Sequence, residues 1–254
     1  CLVTVGAKLA DVTSAVASAT GATLVRLEDA TGPEGSFTVP LGDIEVSPSA
    51  HALMGWEDTV LILHTSGTTG VGKRVPFTLR RLITAGKALA DSLELAVDDC
   101  GLNMMPLHHV GGIACNIAAP LVGQSCMLFA PSFDAAKWHS TVRESHPTVT
   151  WCYAVPTMWS LILQHCDSTG DVLPPTLRLL RSGAAHMPHN VALRLAGLLE
   201  PHGCFLPTYS MTECMPIASP SVGYKLDRPG GVGRPVGIRV HILDSTDNVV
   251  SDGE

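Results

Sequence analysis

From residue 59 to residue 207, short apolar runs alternate with segments of helical period, and this alternation constrains the fold more than any other feature. TVLIL (59–63) is a β-type run bounded by turn signals. After a Gly/Thr-rich loop and VPFT, a helix is predicted to begin near Thr78 as its N-cap, through TLRRLITAGKALADSLEL. NMM (103–105), a helix over 112–122 and SCMLFA (125–130) continue the pattern. A helix over 134–145, strand TVTWC (148–152) and helix PTMWSLILQ (156–164) follow. LRLLRS (177–182) and a helix from Pro188 to Leu199 make another βα unit, and strand CFLP (204–207) leads into a loop, YSMTE. Upstream, LVTV (2–5) and ATLVRL (22–27) read as strands around a small-residue helix over 7–19, with residues 28 to 50 a loop-rich connection. The tail, from RPGGVGRP onward, is a Gly/Pro hinge followed by a β-rich segment. The expected fold class is therefore α/β, with layered βα units on a largely parallel sheet and the start of a β-rich subdomain at the C-terminal end.

Composition narrows what such a fold is used for. With 46% hydrophobic and 15% charged residues, the 254-residue chain has ample material for a packed core. A net charge of -7 argues against a nucleic-acid partner, because phosphate backbones are bound by clustered Lys and Arg. Small anionic nucleotides remain compatible, since a few backbone N–H groups and one cation suffice for them. No apolar run reaches the ~18 residues of a membrane span. The chain opens on Cys1 without a basic segment leading into an apolar one, so a signal peptide is not expected, and a piece of something longer is. Its eight cysteines include no C-x-x-C and lie mostly in apolar stretches, which predicts reduced core thiols and a cytoplasmic protein.

HTSGTTGVGKRVP (64–76) is the chemically richest stretch. GTTGVGK matches most of the P-loop signature, but Arg74 stands where a P-loop needs a Ser or Thr hydroxyl. Pro76 also holds Val75 extended, so the loop joins two β-runs rather than a strand and a helix. Glycines let the backbone approach an anion closely, the hydroxyls of Thr65, Ser66, Thr68 and Thr69 donate to phosphate oxygens, and Lys73 adds a mobile charge. The H-x-x-H pair His186 and His189 lacks a third ligand at helical spacing and reads as solvated turn residues.

The stretch T-S-G-T-T-G-V-G-K-R resembles [ST]-S-G-[ST]-T-G-x-P-K-G, the phosphate-loop signature of the adenylate-forming (AMP-binding) superfamily of acyl-CoA synthetases and adenylation domains. Gly72 replaces the usual Pro, and Arg74 the usual Gly. Further motifs agree in order: MPLHHVGGIA (105–114), the stretch ending in V-P-T before its helix, RSGAAHMP (181–188), and TYSMTE (208–213) with Ser210 in place of Gly. PGGVGRPVGIRVHILD and DGE are similar to the opening of the superfamily's third subdomain. The likeness covers roughly residues 56 to 254, and the first 55 fit loosely. It implies a partial large N-terminal domain over 1–228 and the start of the third subdomain over 229–254. The T-G-D motif and the small C-terminal domain with its catalytic lysine find no counterpart here, and Lys73 does not stand in for that lysine.

The resemblance also implies roles. Thr65, Ser66, Gly67, Thr68, Thr69, Gly70 and Lys73 would grip the β- and γ-phosphates of ATP. Thr212 would donate to the α-phosphate, and Glu213 would hold Mg²⁺. Tyr209 would pack on the adenine, with the Gly183, Ala184 and Ala185 backbone along its other side. His109 would act between carboxylate and nucleotide, as a catalytic residue with Thr212 and Glu213. His109, Ile113, Ala114, Ser182, Cys214 and Met215 would line a pocket suited to a modest apolar acid. The implied partners are a small carboxylic acid and a thiol acceptor, CoA or a carrier protein. A second reading stays open, in which the chain is a non-catalytic nucleotide- or acyl-binding module of a larger synthetase.

Overall fold

The computed structural model describes residues 2–4, 24–26, 28–29, 37–38, 55–65, 72–130 and 132–250. Contacts divide the chain into two compact units, Cys1–Leu53 and Met54–Glu254. In the first, β1 (Leu2–Thr4) pairs in parallel with β2 (Leu24–Arg26). Inside the stretch expected to be loop, β3 (Glu28–Asp29) and β4 (Phe37–Thr38) make a short antiparallel pair. The helix expected over 7–19 lies outside the described residues.

The second unit opens with an antiparallel hairpin of β5 (Thr59–His64) and β6 (Arg74–Thr78), its register running from Leu61↔Phe77 to His64↔Arg74. Helix α1 (Leu79–Ser92) follows, capped by the Thr78 hydroxyl accepting from Arg81 N–H at 3.2 Å. Five parallel strands then form the central sheet: β7 (Cys100–Asn103), β8 (Cys126–Phe129), β9 (Trp151–Ala154), β10 (Leu179–Ser182) and β11 (Cys204–Pro207). Their order across the sheet is β11-β10-β9-β7-β8. β7, β9 and β10 are buried throughout; β9 (WCYA) is the continuous apolar run such burial favours, whereas β7 (CGLN) meets the expected NMM run only at Asn103 and β10 (LLRS) buries Arg181 and Ser182.

Helices cover both faces. α3 (Ala135–Glu144), α4 (Pro156–Thr169) and α5 (His189–Leu199) put Trp138, Trp159, Ile162 and Leu195 against Cys152, Ala154, Leu180 and Phe205. On the other face, α1 and the segment between β7 and β8 cover Trp151, Tyr153, Leu179 and Leu206. That segment, expected as one helix over 112–122, is π-helical over Gly111–Ala118 before the short α2 (Ala119–Gly123), and Ala119 N–H bonds Ala114 C=O five residues back. The chain leaves β7 for one edge of the sheet and returns at β9 to build toward the other. The strand order therefore reverses between β7 and β9, and in open sheets of this kind ligands bind beyond the carboxyl ends of the strands at that point.

One expectation is corrected past β11. YSMTE is not a loop: β12 (Tyr209–Met211) turns back antiparallel into β13 (Cys214–Ser219), with Met211 opposite Cys214. β14 (Arg234–Pro235) adds to the far side of β13, and beyond it Leu243 bridges Val249. The seven cysteines among the described residues are all free, four of them buried, as the spacing predicts.

Candidate active site

Three chain segments meet beyond the carboxyl ends of β7, β9 and β10. The first is the base of the Gly/Thr loop. Thr65 N–H donates to Lys73 C=O at 2.9 Å, and Lys73 N–H donates back to Thr65 Oγ1 at 3.3 Å. Ser66, Gly67, Thr68, Thr69 and Gly70 lie outside the described residues. Strand β6 leaves the loop and precedes α1, so the strand–loop–helix context of a P-loop does not occur here.

The second segment leaves β7. Asn103 at its end folds its amide over the next turn, accepting from Met105 N–H at 2.9 Å and donating to Met105 C=O at 3.1 Å. Asn116 of the π-helical segment donates to the same Asn103 oxygen, tying that segment to the turn. His109 is held between them. Its N–H donates to Pro106 C=O at 3.1 Å, and its Nδ1 accepts from Gly111 N–H at 3.3 Å. That bond leaves the ring proton on Nε2. Burial, with a smaller contribution from His108, holds the His109 pKa below its ordinary value. A Cβ on Gly112 would lie 2.4 Å from Pro106 C=O, so this tight approach requires glycine.

The third segment comes from β10 and β11. Thr208 donates both its N–H and its hydroxyl to Ser182 C=O, each at 2.8 Å, locking the two strand ends together. Ser182 and Gly183 are buried, whereas Ala184 and Ala185 are exposed. Ala184 has φ +70°, in the left-handed region, where an L-residue costs roughly 1–2 kcal/mol. Backbone strain of this kind collects at ligand sites. Thr212 and Glu213 form the turn of the β12–β13 hairpin, with Tyr209 half-exposed at its start.

Two adjoining cavities result. One, of about 320 Å³, has Thr65, Lys73, His109, Tyr153, Thr212 and Glu213 in its wall. The other, of about 390 Å³, lies between Ser182, Ala185, Thr208 and Tyr209 on one side and Gly230 and Gly231 on the other. Ala184 and Ser210 belong to both walls. Gly183 is not in either wall, and neither are Ile113, Cys214 and Met215. Met215 instead packs in the core beside Val110, Ala114 and Tyr153. His186 is exposed and His189 opens α5, and among the described residues no group of three or more His, Cys, Asp or Glu side chains is arranged to hold a metal.

Comparison with known protein families matches residues 4–254 to the family described as AMP-binding enzyme. The chain belongs to the AMP-binding enzyme family. An acyl-CoA synthetase, FUM10 of Gibberella moniliformis, is 35% identical to this AMP-binding chain over 160 residues, 63% of this chain and 28% of that protein. The mitochondrial malonate–CoA ligase ACSF3 of Mus musculus is 32% identical over 204 residues, 74% of this chain and 34% of the ligase. Among solved structures, ATP-bound MatB from Rhodopseudomonas palustris has a TM-score of 0.73 at 26% identity, covering 99% of this chain and 48% of that one. The AMP-binding chain thus spans 28% and 34% of the length of these two curated relatives.

Several side chains that support these segments carry no local sequence signal. Arg81 donates from Nη2 to Glu213 C=O, a contact between positions far apart in the chain. Arg181, just before the small residues of R-S-G-A-A, is fully buried. Its Nη1 donates to Cys115 Sγ at 3.2 Å, and its guanidinium lies 5.1 Å from the Tyr153 ring centroid. Among the described residues Nε and Nη2 have no hydrogen-bond partner, and no carboxylate pairs with them. Burying a charge in this way costs several kcal/mol. Burial pushes the Tyr153 phenol up to about 12 despite the neighbouring cation, so it stays protonated.

Proposed function

We propose that this chain is part of an enzyme that activates a carboxylic acid with ATP and passes the acyl group to a thiol. The acid's carboxylate oxygen attacks the α-phosphorus, pyrophosphate leaves, and an acyl-adenylate remains. The thiol sulfur, of CoA or a carrier protein, then attacks the acyl carbon and AMP departs. One observation carries the reading: Thr65 and Lys73, His109, and Thr212 with Glu213 come from three distant segments and share one cavity wall. Family membership and the ligase names of the relatives support it.

In this reading the Gly/Thr loop from Thr65 to Lys73 takes the β- and γ-phosphates, and Thr212 donates to the α-phosphate. Catalysis is then chiefly positioning and charge neutralisation. The larger cavity takes the adenine, between Tyr209 and the backbone at Ala184 and Ala185. His109, neutral and fixed by Gly111 N–H, offers Nε2–H at the junction of acid and nucleotide. Glu213 fits a Mg²⁺ ion, because its carboxylate is exposed in the cavity and outside every ion pair among the described residues. Mg²⁺ is commonly held by one or two carboxylates together with substrate phosphates, and it neutralises phosphate charge. Reduced thiols among the described residues support a cytoplasmic setting.

The test is acid-dependent exchange of labelled pyrophosphate into ATP by the full-length protein. Exchange with any acid of a panel establishes adenylation. Mg·ATP binding without exchange would instead favour the non-catalytic module.

A further inference from the structure

We propose that Arg181 receives a second anionic group of the acid, so that the preferred substrate is a short dicarboxylate rather than an apolar monocarboxylic acid. The inference rests on the adenylation reading above and names its substrate class. It departs from the apolar acid expected from Ile113 and Met215, which lie in neither cavity wall.

Three observations carry it. Nε and Nη2, the nitrogens without a partner among the described residues, form the side edge of the guanidinium. Two parallel N–H bonds from that edge match the two oxygens of a carboxylate. The remaining nitrogen is already held by Cys115 Sγ, which fixes the edge in orientation. A buried unpaired cation is costly to keep, and a bound anion removes that cost.

The path to Arg181 runs past Tyr153. Its ring covers the guanidinium, and it is also part of the wall of the cavity that holds His109 and Thr212. The Tyr153 hydroxyl is wedged between two glycines: a Cβ on Gly111 would stand 2.9 Å from it, and one on Gly183 3.1 Å. An acid whose reacting carboxylate lies near His109 therefore points its far end at Tyr153. Arg181 lies behind the buried Tyr153 ring and in neither cavity wall, so the second carboxylate reaches it only by displacing that ring, with the phenolic O–H as a third donor.

The experiment measures pyrophosphate exchange by the full-length protein with malonate and succinate against propionate and butyrate, for wild type, Arg181→Met and Arg181→Lys. Wild type should prefer a dicarboxylate. Arg181→Met should lower the dicarboxylate-to-monocarboxylate ratio by roughly 10- to 100-fold, the worth of a charge-assisted bidentate contact. Arg181→Lys, which keeps the charge and loses the fork, should fall between. A wild type that prefers monocarboxylates, or an unchanged ratio in Arg181→Met, overturns the proposal while leaving adenylation intact. If no acid supports exchange, the adenylation reading has failed and malonate titration by calorimetry decides for Arg181. Binding that Arg181→Met abolishes keeps the anion site, and absence of binding overturns it.

Discussion

Arg81 donates from Nη2 to the backbone carbonyl of Glu213, which lies 132 positions later in the chain. The same guanidinium donates from Nη1 to Pro76 C=O at 3.0 Å and lies 4.4 Å from the Phe77 ring centroid. One side chain thereby clasps the strand leaving the Gly/Thr loop to the turn bearing Thr212 and Glu213. Arg81→Met keeps the stem's packing and removes the clasp. Exchange should fall by roughly 10- to 100-fold, as misplacement of positioning groups does, with little change in melting temperature. A large loss of stability at unchanged specific activity would make the contact merely structural.

Glu213 meets that clasp with its backbone, which frees its carboxylate. Glu213→Gln should therefore leave the turn in place. The Mg²⁺ concentration for half-maximal exchange should rise on the order of tenfold or more, since even outer-shell losses at metal sites cost 10–100-fold. A Mg²⁺ titration of the full-length variant checks this, and a superimposable curve would remove Glu213 as the ligand.

For His109 the direction of the pKa shift makes a pH prediction. Burial first, and His108 second, hold it below the ordinary 6.5, so the imidazole stays neutral as pH falls through that value. Exchange should stay level through 6.5 and decline only when the lower folded-state pKa is crossed, where protonation of Nδ1 breaks the bond from Gly111. Removing the charge at His108, as in His108→Gln, should move that decline to higher pH. A decline centred at or above 6.5 in wild type would contradict the buried, neutral His109.

These contacts also mark how far the sequence could be read. Strand β9 was legible because a strand buried on both faces is apolar along its length, whereas β7 (CGLN) carries Gly101 and Asn103 and the apolar run NMM meets it only at Asn103. The Thr78 cap was legible because capping is local. His109, Thr212 and Glu213 were legible through the order of their motifs, and the fold places all three in one cavity wall. The β12–β13 hairpin was missed because its turn, Thr212–Glu213, lacks the Gly or Asn that makes such turns visible. The π-helical register over Gly111–Ala118 leaves no mark on apolar periodicity across eight residues. Arg81 with Glu213, and Arg181 with Cys115 and Tyr153, are pairings across long sequence separations, and only the fold brings them together.

At the opposite, amino-terminal edge of the sheet, a second buried charge has its partner. Asp99 is 5% exposed and accepts from Arg178 Nε at 2.7 Å, from Thr150 Oγ1 at 2.7 Å and from Ala96 N–H at 2.9 Å. Arg178 also donates to the carbonyls of Leu93 and Glu94, so the pair joins the end of α1 to β7, β9 and β10. Burial alone would raise the Asp99 pKa, but the Arg178, Thr150 and Ala96 bonds outweigh it and hold the value below 3.8. A depressed carboxylate contributes stability that is present above its unfolded pKa and is lost as pH falls through the folded one. Acid unfolding should therefore steepen below about pH 4, and Asp99→Asn should remove that part of the pH dependence. The variant should also cost about 3–5 kcal/mol at neutral pH, because Arg178 is left without its charge partner. Asp99→Leu combined with Arg178→Met should recover most of that loss. Urea melts across pH measure both effects, and acid selectivity should not change in either variant, because neither Asp99 nor Arg178 lines the two cavities of the candidate site. A melt of Asp99→Asn indistinguishable from wild type would show that the hydrogen bonds, and not the charge, hold this edge.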